Sequence, residues 1–317
     1  MIFRGRQLFD FNVGLVLAGG GAKGAYQAGV IRALWDLDLI DNVKVVSGVS
    51  IGTLNALCLC MKDRDLIEKG WKSLSYSKIM TKGEGIKISE IGELIKNFTL
   101  HKGQSMTDNI DFSTLGVISQ KGIRDYIQQF VDVSVLNDIS THVYSCVYNV
   151  TEGYPQYFRL NNYSKEEIID ITVASCAVPY LFSPVSFKGK QYADGGINNP
   201  LYPKPNADNV PIYPLMKHDC DLIIVVHLNY SDKIDRKLYP QSNIIEIYPS
   251  ASLELINGSG TINFNQSAII EKIQMGYRDA LVALTPMLMA HLKGKSMMPY
   301  IKSHYRWNEQ FLKKTKK

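Results

Sequence analysis

VKVVSGVSIGTLNALCLC, residues 43–60, runs a β-branched stretch through a Gly-x-Ser-x-Gly turn into an apolar, helix-like segment. Val43 to Val46 reads as a buried strand, and the helix is expected to reach about Met61. The same design occurs just upstream. Val13 to Ala18 is an apolar strand, GGGAKG (19–24) is the turn, and a helix is expected from about Ala25 to Leu37. Two strand–turn–helix units in succession predict an α/β sheet.

Downstream, the pattern loosens and then returns. Residues 62–135 alternate polar helical pieces such as RDLIEKGWKSL and GIRDYIQQFV with the Gly-rich TKGEGIK, which marks a variable helical insertion. His142 to Val150 and Tyr157 to Leu160 flank TEGYP and read as a hairpin. SKEEIIDITVASCA follows as a helix, with Ser164 at the N-cap and Glu167 at the capping-box position. Pro179 stops it. SPVSFKGKQYADGG is then a second hairpin turning at Lys188-Gly189-Lys190. Asp221 to Leu228 and Ile244 to Tyr248 are further buried strands, and a long helix is expected from about Ser267 to Leu292, with Pro286 as the point where it could kink.

At 317 residues and 45% apolar, the chain can bury a substantial core, and no Pro/Gly/Ser-rich linker divides it. One domain over 1–317 is expected, with its core at about 13–292. The net charge of +5 is unevenly placed: residues 291–317 hold eight lysines and arginines against one glutamate, which leaves the rest of the chain at −2. This basic C-terminal tail (293–317) contains Tyr300, Tyr305, Trp307 and Phe311. It could touch anionic lipid headgroups, or be a solvated, frayed end. Cys58, Cys60, Cys146, Cys176 and Cys220 are odd in number and lie mostly in apolar surroundings, as expected of reduced core residues. No metal site is expected from them. No signal peptide is legible, and no run reaches the roughly 20 apolar residues a membrane span needs. A cytoplasmic protein, peripheral to a membrane, fits these features.

GGGAKG satisfies the dinucleotide-binding pattern but lacks the acid expected at the end of the second strand, where the chain reads VVSGVSIG. A phosphate loop would need Lys and Ser/Thr after Gly24, and Ala25 stands there. On any reading the glycines expose backbone N–H groups at a helix N-terminus beside Lys23, which suits an anion, whether phosphate or oxyanion. Gly48 and Gly52 around Ser50 fit a nucleophile elbow, in which a sharp turn presents the hydroxyl at a helix N-terminus. A serine needs a base. His101, His142, His218, His227, His291 and His304 follow it, but none sits in a Gly-rich turn suited to presenting an imidazole. Asp194, before Gly195 and Gly196, ends a strand at a turn that can leave its carboxylate facing a cleft.

GGGAKG, GVSIG and ADGG in this order, with ASCAVPYLFSPV (174–185) just before the aspartate and Asn199-Pro200 after it, resemble the patatin-like phospholipase family. The resemblance covers most of residues 13–200 and weakens beyond. It implies a three-layer α/β/α sandwich around a central, mostly parallel sheet. It also implies a Ser50–Asp194 dyad in place of a triad, with the oxyanion held by Gly19, Gly20 and Gly21. Lys23, Gly24, Gly48, Gly52, Gly195 and Gly196 support the motif. The implied substrate is an acyl ester of a glycerophospholipid at a membrane surface, with lysophospholipids or neutral glycerides as variants and no cofactor or nucleic acid. A small-molecule or protein activator fits the bacterial members. The competing readings are an α/β-hydrolase-type esterase using a histidine, and a nucleotide- or phosphate-binding module without hydrolase activity.

Overall fold

The computed structural model describes residues 8–75, 78, 119–179, 181–199, 204, 206–254 and 259–315. Among the described residues eight strands form one sheet: β1 (Val13–Leu17), β2 (Val43–Val49), β3 (His142–Asn149), β4 (Tyr154–Arg159), β5 (Val185–Phe187), β6 (Lys190–Asp194), β7 (Leu222–Val226) and β8 (Ile244–Ile247). Their order is β5-β6-β3-β2-β1-β7-β8, with β4 also paired to β3. β3, β2, β1, β7 and β8 run parallel to one another, whereas β4, β5 and β6 pair antiparallel. Every residue of β1 and β7 is buried, as expected of central parallel strands covered on both faces.

The alternation along each strand divides the core. Leu15, Leu17, Val46, Leu222 and Ile224 join the larger cluster, which includes the helices. Val16, Val45, Ile223 and Val225 face the other way, onto Val210, Ile212 and Leu215. Among the described residues the helices are α1 (Ala25–Asp36), α2 (Ile51–Cys60), α3 (Leu66–Ser73), α4 (Lys121–Phe130), α5 (Lys165–Ser175), α6 (Gln266–Leu292) and α7 (Met298–Lys314). The second face is covered by the stretch around the 3-10 turn Tyr213–Lys217. α1 and α6 approach closely through paired glycines: a Cβ on Gly276 would overlap the Tyr26 carbonyl, and one on Gly29 the Ile273 carbonyl.

Local signals are realised where turn chemistry is strong. Ser164 and Glu167 form the full capping box of α5. The β5–β6 hairpin turns through Lys188 (φ 47°) and Gly189 (φ 76°), both left-handed as a two-residue hairpin turn requires. α6 runs on through Pro286 as one helix. TKGEGIK and most of the expected insertion lie outside the described residues, with α3 and α4 flanking them.

Phe9 and Phe11, just ahead of β1, are buried in the main cluster. The basic tail is not a frayed end. α7 buries Ile301, Asn308 and Leu312, and its His304 and Asn308 side chains both donate to the Glu246 carbonyl of β8, at 2.9 and 2.7 Å.

The two kinds of strand pairing meet at one point. β2 and β4 share partners on β3, so they occupy opposite edges of it. β6 takes up the β2 edge where β2 ends. Val49 lies opposite Cys146 and Asp194 opposite Val147, the next residue of β3. β2 and β6 therefore run toward each other along β3, which brings the end of one to the end of the other.

Candidate active site

Ser50 stands at that junction. It adopts φ 55°, ψ −127°, a combination that L residues rarely adopt, and it is the N-cap of α2. The strain is sustained by contacts on both sides. A Cβ on Gly48 would fall on the Gly52 backbone, and one on Gly52 would fall on the Leu17 carbonyl, so strand and helix touch backbone to backbone. Ser175, at the end of α5, fixes the turn from below. Its Oγ accepts from the Ser50 N–H (2.8 Å) and donates to the Cys146 carbonyl (2.7 Å). Thr53 Oγ1 lies 3.1 Å from both Ser175 Oγ and Ser145 Oγ, which completes a buried hydroxyl cluster under the elbow.

Asp194, 1% exposed, ends β6. Its Oδ1 accepts from the Gly196 N–H at 2.8 Å, and its Oδ2 has no hydrogen-bond partner among the described residues. Burial pushes the carboxyl up to about 6, and the facing Ser50 hydroxyl and the Gly196 N–H offset only part of that rise. A carboxylate with an unengaged oxygen, beside a hydroxyl and with raised proton affinity, is suited to take a proton near neutral pH. The Gly195 carbonyl accepts from the Asp208 N–H (2.8 Å), and Gly195 packs on Cys146.

The Gly19–Gly24 loop completes the site. A Cβ placed on Gly19 would lie 3.4 Å from Ser50 Cβ, and Gly24 packs against Ile51. The Gly19 N–H donates to the Asn209 carbonyl at 3.4 Å, so it is partly engaged. Gly20 and Gly21 donate to no acceptor among the described residues, and Gly21 has φ 56°. These two N–H groups open the 3-10 turn Gly21–Gly24 that leads into α1.

Buried polar side chains brace this loop. Gln27 donates to the Ala18 carbonyl (2.7 Å). Asn55 donates to the Gly24 carbonyl (3.0 Å) and to Gln27 (2.8 Å), and Trp71 donates to Asn55 (3.0 Å). Asn209 bridges the loop to the aspartate turn: its amide donates to the Gly19 carbonyl (3.4 Å) and to Asp232 (2.7 Å), and it packs against Gly196. The buried Lys23 ammonium pairs with the partly exposed Glu254 carboxylate (2.6 Å) and donates a hydrogen bond to Asn229. Beside it, the Lys272 ammonium contacts the Ala22, Gly260 and Asn263 carbonyls at 3.3–3.4 Å. Burial and the Lys23 charge push Lys272 down to about 8.

All the predicted site residues thus converge except Lys23, which acts behind the loop. The histidines do not converge with them. His218 bonds Tyr144, His142 meets Arg159, His227 bonds Glu246, His291 bonds Asp10 and His304 bonds the Glu246 carbonyl. His101 lies outside the described residues. Among the described residues no cluster of His, Cys, Asp and Glu could hold a metal ion.

The sequence profile described as Patatin-like phospholipase matches residues 15–215, the span holding both turns and the aspartate. The chain belongs to the patatin-like phospholipase family. A mouse 1-acylglycerol-3-phosphate O-acyltransferase, Pnpla3, is 36% identical over 95 residues, 29% of this chain and 20% of that protein. The lysophospholipase nte1 of Aspergillus terreus is 26% identical over 227 residues, 72% of this chain and 12% of that one. The chain thus spans a fifth or less of these two curated relatives. Protein R571 of Acanthamoeba polyphaga mimivirus matches more evenly, 24% identical over 85% of this chain and 82% of its own. Among solved structures, VipD from Legionella pneumophila superposes with a TM-score of 0.53 at 17% identity, covering 93% of this chain and 67% of that one, which shows a shared fold. No helix among the described residues is long and apolar enough to cross a membrane.

Proposed function

We propose that this member of the patatin-like phospholipase family is a lipid acyl hydrolase that works through an acyl-Ser50 intermediate. The observation that carries the reading is the meeting of Ser50, at a strained elbow, with a buried Asp194 whose carboxyl rises to about 6. Asp194 Oδ2 takes the Ser50 proton as Oγ attacks the ester carbonyl, and the carbonyl π pair moves onto oxygen. The Gly20 and Gly21 N–H groups, with the N-terminus of α2, stabilise that oxyanion. Its collapse expels the alcohol, which leaves with the proton from Asp194. Water then attacks the acyl-enzyme with Asp194 again as base, releasing a fatty acid and restoring Ser50.

The substrate class is acyl esters of glycerophospholipids, lysophospholipids included. It is supported by the family description and by the names of two relatives, a lysophospholipase and a 1-acylglycerol-3-phosphate acyltransferase. An activating ligand or protein, as anticipated from bacterial members, would add to this chemistry without replacing any step. The test is product analysis from phospholipid vesicles with wild type and Ser50→Ala. Fatty acid released by wild type alone supports the reading, and equal release by Ser50→Ala would remove it.

A further inference from the structure

Three regions outside the dyad take no part in this chemistry. A cavity of about 40 Å³ between β8 and α7 is too small for more than water. The apolar hollow around Leu8, Leu37, Leu288 and Leu292 has nothing in the structure to name its occupant. The outer surface of α7 carries more.

We propose that α7 is a docking ridge for anionic lipid that turns the Ser50 mouth toward the membrane, an inference that rests on the acyl-hydrolase reading above. α7 is held to the protein by its Ile301, Asn308 and Leu312 face, and the rest of the helix divides into two flanks. Lys302, Arg306 and Lys313 recur at helical spacing along one flank. All three are exposed, and none pairs with a carboxylate among the described residues, although Glu309 lies on the same helix. Tyr300 and Trp307 lie on the other flank, 40% and 50% exposed, and Trp307 stacks on Phe311 with ring centroids 5.4 Å apart. Aromatic rings beside unpaired cations match a lipid interface, where the rings sit at headgroup level and the cations meet anionic phosphates.

The ridge is joined to the catalytic edge. Phe311 packs edge-on against Tyr230 (5.4 Å), and the preceding residue, Asn229, is bonded by Lys23 of the glycine loop. Both Asn229 and Tyr230 follow the C-terminal end of β7, which is parallel to β1 and so opens on the same sheet edge as the glycine loop. A vesicle seated against Trp307 would therefore lie toward the sheet edge on which β1, β2 and β7 end and Ser50 stands.

The experiment uses the full chain carrying Ser50→Ala, so that vesicles stay intact, and sediments it with phosphatidylcholine vesicles with and without phosphatidylserine. Binding should require phosphatidylserine and weaken as salt rises. Adding Arg306→Gln and Lys313→Gln should lower the partition roughly 30-fold, from about fivefold per surface cation. Trp307→Ala should lower it as well. On the wild-type background the same changes should leave hydrolysis of a soluble short-chain ester untouched. Equal binding by parent and variants would overturn the proposal, as would a parent that ignores phosphatidylserine vesicles but is retained by heparin. Ridge-dependent vesicle binding by a protein whose wild type cleaves no ester would sustain the surface and remove the hydrolase reading.

Discussion

Replacing Asp194 with asparagine should make the protein inactive and, near neutral pH, more stable. The carboxyl is buried, and its proton affinity in the folded chain corresponds to about 6, against 3.8 for an unperturbed aspartate. The folded state therefore holds a proton between these values that the unfolded chain has already released. Stability falls as pH rises through that window and is level above it. A difference of roughly two units at 1.36 kcal/mol each places the cost near 3 kcal/mol at pH 7.5. The replacing amide would carry no charge, and its carbonyl oxygen could still accept from the Gly196 N–H. Denaturant unfolding of wild type and Asp194→Asn at pH 7.5 and pH 4 reads this directly. The variant should be more stable by about 2–3 kcal/mol at the higher pH, with the gain largely gone at the lower. A variant that is less stable at pH 7.5, or a gain that does not depend on pH, would refute the argument. By the same linkage, wild-type turnover should rise with pH through about 6 in a pH–rate profile, if Asp194 accepts the Ser50 proton as proposed.

Ser175→Ala removes the acceptor of the Ser50 N–H and the bond to the Cys146 carbonyl; it should cost about 1–3 kcal/mol in denaturant unfolding and lower kcat more than it raises KM. Lys272→Met frees the Ala22 carbonyl behind the glycine loop, so acylation at pH 7 should slow, and wild-type acylation should fall toward the variant's rate as pH rises through about 8. Lys23 and Glu254 are the charged neighbours of Lys272 in that experiment. His218→Ala should keep full ester turnover, since His218 is bonded to Tyr144, away from the dyad; loss of turnover there would favour a histidine-based mechanism.

The elbow, the glycine loop and Asp194 were legible because their chemistry is local. Glycines flanking Ser50, glycines after a strand and Asp-Gly-Gly at a strand end each specify a turn within a few residues. The hairpins and the capping box were legible for the same reason. Ser175 was visible only as one letter in ASCAVP. Its partners Ser50 and Cys146 lie far off in the chain, and a serine in an apolar helix looks like any small core residue. Asn209, Gln27 and Asn55 were invisible for a related reason: each bonds a backbone carbonyl that is brought to it by tertiary packing. The docking of α7 depends on three buried residues among many polar ones, too sparse a pattern to separate a packed helix from a solvated tail.

The most direct test is fluorophosphonate labelling of wild type, Ser50→Ala and Asp194→Asn, with mass mapping of the modified peptide. One adduct is expected, on Ser50, formed rapidly by wild type, slowly by Asp194→Asn and not at all by Ser50→Ala. An adduct on another residue, or labelling of Asp194→Asn at the wild-type rate, would contradict the Ser50–Asp194 dyad.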